Sequence, residues 1–65
     1  MKIKLNGEDY ETVIETVAQL LEELRIVPGR VAVELNLSIL KKADYGTCPL
    51  HDGDAVEVVN FVGGG

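Results

Sequence analysis

Apolar and polar positions alternate at the start of the chain, Met1-Lys2-Ile3-Lys4-Leu5, the period of a strand with one face buried. The alternation sends Met1, Ile3 and Leu5 to a core and Lys2 and Lys4 to water. Asn6-Gly7 follows, and because both residue types tolerate positive φ the pair predicts a tight hairpin. Tyr10 to Ile14 is rich in β-formers and reads as the return strand. From Thr16 the period lengthens. Val17, Leu20, Leu21 and Leu24 fall at i, i+3, i+4 and i+7, one apolar stripe of a helix, with Glu22 and Glu23 on the other side. Thr16 and Gln19 fit a capping box, and Pro28-Gly29 breaks the segment. Arg30 to Leu35 returns to strict alternation, with Val31, Val33 and Leu35 on one face, and Asn36 ends it. Residues 37–50 are less regular. They predict a short strand near 38–41, then a turn or one helical turn. His51-Asp52-Gly53-Asp54 is a turn into a last strand, Ala55 to Phe61. Its Val56 and Val58 face the helix, and its Ala55, Glu57, Val59 and Phe61 face away.

The order is hairpin, helix, strand, irregular crossover, strand. Such an order predicts an α+β layer architecture, a β-grasp: a mixed four- to five-stranded sheet with one main helix packed on one face. The first and last strands are expected as parallel neighbours at the sheet centre. One domain spans 1–61, and 62–65 form a flexible C-terminal glycine tail.

Composition narrows the function classes. The 65 residues are 46% hydrophobic and 26% charged, with no Trp, one Phe and two Tyr, so the core is aliphatic. A domain of this size buries only ~60% of its extended surface, and a deep catalytic pocket would compete with the core for the same side chains. The net charge is −5, and the basic residues Lys2, Lys4, Arg25, Arg30, Lys41 and Lys42 are scattered. No basic stripe is present to neutralise phosphates, which argues against nucleic acid as a partner. No apolar run is long enough to span a membrane, and the N-terminus lacks a signal-peptide core. The lone Cys48 excludes an internal disulfide and fits a reducing cytoplasm. A monomer is expected for the free chain.

The remaining chemistry lies in Val62-Gly63-Gly64-Gly65. Glycine lacks a Cβ, so such a segment can thread a channel that excludes larger residues. Fully extended, it reaches ~13 Å at ~3.3 Å per residue. Its last carboxylate is unhindered. A glycine-rich end is also compatible with a frayed terminus.

Lys2-Ile3-Lys4-Leu5-Asn6-Gly7-Glu8, Thr16-Val17-Ala18-Gln19-Leu20-Leu21, Val31-Ala32-Val33-Glu34-Leu35-Asn36 and the run from Asp52 through Gly65 together resemble the ThiS family, the sulfur carriers of bacterial thiamine biosynthesis. Each motif alone is weak; their order, spacing and terminal glycines make the signal. The resemblance covers most of the chain and is weakest across 37–51. It implies a ubiquitin-like β-grasp and a protein carrier rather than an enzyme. It implies that an adenylating, E1-like partner uses Mg-ATP to activate the Gly65 carboxylate. A cysteine desulfurase relay then supplies sulfur, and thiazole synthase takes it from the resulting thiocarboxylate. The acyl-adenylate and thiocarboxylate are transient, and no cofactor is tightly bound. Gly63 and Gly64 would thread the partner's active site, with Val59, Phe61 and Val62 as a docking patch beside the tail.

Two stretches depart from the family's pattern. Leu37 stands where an Asn-Gly turn is frequent, and Tyr45-Gly46-Thr47-Cys48-Pro49 differs from the usual run. Cys48 and His51 are spaced C-x-x-H, but structural zinc normally needs four ligands and a Cys/His nucleophile needs an orienting group. They read as loop residues, with contact between Cys48 and a sulfur relay as the minority alternative. Lys41-Lys42 reads as a solvated pair, and Tyr10 and Tyr45 as packing residues. Other functions stay open: sulfur delivery to molybdopterin or to tRNA, a ubiquitin-like modifier joined through Gly65, or an interaction module with an inert tail.

Overall fold

The computed structural model describes residues 1–60. Five strands form one mixed sheet: β1 (Lys2–Leu5), β2 (Glu8–Glu11), β3 (Val31–Leu35), β4 (Ser38–Leu40) and β5 (Ala55–Asn60), in the order β2-β1-β5-β3-β4. β5 is central. It pairs parallel with β1 and antiparallel with β3, while β2 and β4 form the edges through antiparallel hairpins. One helix, α1 (Val17–Glu23), and two single 3₁₀ turns, Pro28–Arg30 and Lys42–Asp44, complete the elements. This is the expected ubiquitin-like β-grasp.

The core is aliphatic and two layers deep. Val17, Leu20 and Leu21 of the helix are fully buried against Ile3, Val31, Val33 and Val56 of the sheet. Leu24, Leu5, Met1 and Val58 are half-buried around this cluster. Tyr45 and Leu50 close it from the crossover, and the Tyr45 hydroxyl donates to the Val31 carbonyl at 3.4 Å.

The helix starts as its sequence predicts. The Thr16 hydroxyl accepts from the Gln19 amide, and the Gln19 side chain accepts from the Thr16 amide at 3.2 Å each, so the capping box satisfies donors at both positions. Its end comes earlier than Pro28-Gly29. At Arg25 the backbone reverses with φ +59°. The Arg25 amide bonds the Glu22 carbonyl and the Ile26 amide bonds the Leu21 carbonyl, the Schellman pair that closes a helix. Arginine occupies a position where glycine is preferred.

The return strand departs from the expected Tyr10–Ile14. It begins at Glu8, directly after the two-residue Asn6-Gly7 turn, with Leu5 opposite Glu8 and Lys2 opposite Glu11. A two-residue loop fixes that register, and it overrides the β-propensity of Val13 and Ile14. Val13 is 90% exposed. Thr12 is buried instead, and its hydroxyl donates to Glu23 at 3.0 Å and accepts from the Ile14 amide. Tyr10 donates to the same Glu23 carboxylate. This hydrogen bond, with burial and the carboxylate's charge, pushes the Tyr10 phenol above its ordinary pKa. Hairpin and helix are thus clipped together through one acid.

Two outcomes follow from these features. Arg25→Gly is expected to stabilise the fold by about 0.5–1 kcal/mol by relieving the left-handed backbone, read as a raised urea midpoint at constant m-value. The second concerns Asp9, whose carboxylate lies 2.6 Å from the Lys4 ammonium. Hydrogen bonding from Lys4 and its charge hold the Asp9 carboxyl below its ordinary value. A depressed carboxyl contributes stability above the unfolded pKa, ~3.9, and loses it as pH falls through the folded one. Asp9→Asn is therefore expected to lose less stability than the wild type on acidification below about pH 4, measured by urea unfolding across pH. Parallel curves would contradict this.

Candidate functional site

β5 leads toward the glycine tail, and its placement defines the site. Gly63, Gly64, Gly65, Phe61 and Val62, five of the six predicted site residues, lie outside the described residues. So does the boundary between the domain 1–61 and the tail 62–65. Val59 lies within them, paired with Ala32 and 57% exposed on the sheet face away from the helix. Val56 is fully buried and Val58 packs against the core, while Glu57 is exposed. The expected alternation along β5 therefore holds through the last described residues.

Both ladders of β5 are extended by asparagine side chains. On the β1 side, the Lys4 amide donates to the Asp54 carbonyl and the Asn6 amide to the Val56 carbonyl, each at 2.9 Å. The Asn6 side-chain oxygen then accepts from the Val58 amide at 2.8 Å, one rung beyond the end of β1. On the β3 side, the Asn36 amide donates to the Ala55 carbonyl at 2.8 Å, and the Asn36 side-chain oxygen accepts from the Ala55 amide at 2.9 Å. The Asn36 side-chain amide also donates to Asp54 at 3.1 Å. Both asparagines lie at positive φ, +50° and +51°, a conformation Asn tolerates better than most residues. Each turn thus aims a short polar side chain at the central strand. Sequence reading recognised both as turn residues and missed this second role.

The start of β5 is fixed by Asp54 and Asp52. Asp54 accepts from the His51 amide at 2.8 Å and lies 3.8 Å from the exposed His51 ring. Asp52 accepts from the Lys2 amide at 2.7 Å. His51 is thereby a turn residue, as its sequence context suggests. Cys48 is half-buried against the core, with its carbonyl accepting from the Val17 amide and its sulfur 3.8 Å from the Pro49 carbonyl. Among the described residues, no three His, Cys, Asp or Glu side chains gather as a metal set.

On the open face, Lys2 and Lys4 of β1 flank Asp9 of β2 at 4.0 and 2.6 Å. Glu34 and Glu57 pair across β3 and β5, beside the row Ala32–Val59. The face is therefore mixed in charge at the β1–β2 end and acidic with apolar positions at the β3–β5 end. On the opposite side, a groove of about 450 Å³ opens at the helix C-terminus, lined by Ala18, Glu22, Arg25, Ile26, Val27 and Pro28. No helix among the described residues is long and apolar enough to cross a membrane.

Comparison with known proteins places these features in a family. The ThiS family model matches residues 3–65. The chain is 44% identical to a thiazole synthase of Paramagnetospirillum magneticum across its whole length, yet spans only 20% of that protein. It is 37% identical to the sulfur carrier protein ThiS of Bacillus subtilis, with 97% of this chain and 98% of that one covered. The crystal structure of the thiamine biosynthesis protein ThiS from Geobacter metallireducens superposes with a TM-score of 0.86 at 33% identity, covering both chains completely.

The bond from Val58 to Asn6 generates a test within the described fold. Asn6→Gly keeps a residue suited to positive φ and removes only the side-chain acceptor. A net hydrogen bond contributes ~1 kcal/mol, so protection of the Val58 amide against hydrogen exchange is expected to fall roughly fivefold, with Ile3 and Val33 changing less. Unchanged protection at Val58 would remove Asn6 from the support of β5.

Proposed function

The chain belongs to the ThiS family, and we propose that it is a sulfur carrier for thiazole formation in thiamine biosynthesis, with Gly65 as the atom-bearing end. The observation that supports this most is the match to the family across residues 3–65, glycine tail included. The similarity to a thiazole synthase, in which the matching stretch is a fifth of the protein, ties the same domain to the sulfur-consuming step.

The proposed chemistry is acyl activation. A carboxylate at neutral pH is ionised and resists attack by a sulfur nucleophile. In the adenylating partner, a Gly65 carboxylate oxygen attacks the α-phosphorus of Mg-ATP and pyrophosphate leaves. Sulfur from the cysteine desulfurase relay then attacks the acyl carbon and AMP leaves, giving the thiocarboxylate. Two easier substitutions replace one difficult one. Thiazole synthase accepts the sulfur and returns the carboxylate.

The chain's own part is mechanical and recognitive. The sheet holds β5 by both edges, Gly63 and Gly64 pass through the partner's narrow entrance, and Val59, Phe61 and Val62 dock beside it. All catalytic groups belong to the partners, so the carrier acts as a co-substrate. A reducing, cytoplasmic setting suits the free thiol of Cys48 and the thiocarboxylate alike.

The test is intact-mass analysis with C-terminal fragmentation after incubation with adenylating enzyme, Mg-ATP and a sulfur donor. Sulfur located at Gly65 is expected, and a variant lacking Gly64 and Gly65 is expected to take up none. Fragmentation is needed because exchanging oxygen for sulfur nearly equals the mass of oxidising Met1 or Cys48. Conjugates of higher mass would favour a protein modifier. An untouched Gly65, with the enzyme active on another carrier, would reject the proposal.

A further inference from the structure

The turn between β3 and β4 holds a leucine where both backbone and solvent disfavour it. Leu37 is 88% exposed and lies at φ +71°, a region that glycine enters freely and leucine does not. Strand register shows what stands beside it. Ile39, 80% exposed, is paired with Glu34, and Glu34 with Glu57; in the next row on the same face, Ala32 is paired with Val59. Alternate residues share a face, so Ile39, Ala32 and Val59 run diagonally across β4, β3 and β5 on the side away from the helix. Leu37 extends this line past the sheet edge, and Glu34 and Glu57 stand within it. Single exposed apolar residues need no explanation. A strained leucine continuous with an apolar diagonal is a different case, because strain of this kind persists where function requires it.

We propose that the Leu37–Ile39 corner is a docking contact for the adenylating enzyme, on the carrier reading above. The complementary surface has an apolar recess for Leu37 and Ile39 and arginine or lysine groups opposite Glu34 and Glu57. Charge favours this partner. An enzyme that binds Mg-ATP for attack on phosphorus places cationic groups around the triphosphate, and a carrier of net charge −5 is steered toward them. The corner lies apart from the tail, so it sets how the body sits while Gly65 is activated. It also falls where this chain departs from the family's frequent turn, which makes it a determinant of partner choice.

The experiment is ATP–pyrophosphate exchange by the purified adenylating enzyme with the full chain as varied substrate. Leu37→Gly separates docking from folding, because it relieves backbone strain. It is expected to raise the urea midpoint and yet raise KM about tenfold with little change in kcat, the pattern of lost uniform binding. Ile39→Thr keeps a β-branched residue in β4 and is expected to raise KM severalfold. Val13→Ser, at an apolar residue 90% exposed outside the strands, should leave KM unchanged. Equal KM for wild type and Leu37→Gly overturns the docking contact, as does a Val13→Ser effect of the same size. A wild-type dimer at assay concentration that Leu37→Gly dissociates assigns the corner to a second copy instead. No exchange even with the wild-type chain rejects the carrier reading, and the docking contact with it.

Discussion

The fold depends on satisfying the backbone of one strand on both edges. β5 lies at the centre of the sheet, and each buried amide or carbonyl left without a partner would cost about 1–3 kcal/mol. β1 and β3 supply most partners, but β1 ends before β5 does. Asn6 closes that gap, and Asn36 closes the corresponding one at Ala55. The turns are therefore part of the sheet's hydrogen bonding as well as its connections. In a chain too small for a thick core, the polar framework and the aliphatic layer must agree residue by residue.

The helix and the two sheet faces divide the work. One face buries Ile3, Val31, Val33 and Val56 under Val17, Leu20 and Leu21, and these residues account for the existence of a folded body. The other face carries Lys4, Asp9, Glu34, Glu57, Ala32 and Val59, where changes in chemistry disturb folding least. A carrier must be recognised by successive partners through one surface while remaining a single rigid object. A two-layer fold with one uncovered sheet face meets that demand with few residues. It also explains why the domain has little room for catalytic groups of its own.

Most of the architecture was legible because period and turn chemistry agree along the chain. The alternation at Met1–Leu5, the stripe from Val17 to Leu24 and the Thr16–Gln19 cap each point to the element that forms. The return strand was misplaced because Val13 and Ile14 have strong β-propensity, whereas register is set by the turn at Asn6-Gly7. The helix end at Arg25 was hidden because its closing residue is not a glycine. The asparagine contacts were illegible for another reason: Asn6 bonds a residue 52 positions away and Asn36 one 19 away, and no local pattern encodes such partners. At the site, alternation along β5 placed Val59 correctly. Leu37 was visible as a departure from the family, but its positive φ required coordinates.

Strand direction has a mechanical consequence. A tail drawn into a partner's entrance pulls along the axis of β5, perpendicular to the hydrogen bonds on either side. Traction in that direction loads the rungs to β1 and to β3 together, in shear, instead of peeling them one at a time as at a hairpin end. The Asn6 rung, nearest the point of pull on the β1 side, shares the load at its outset. The body can thus be held by its glycine arm without unravelling, so a small and marginally stable domain can still serve as a firm anchor.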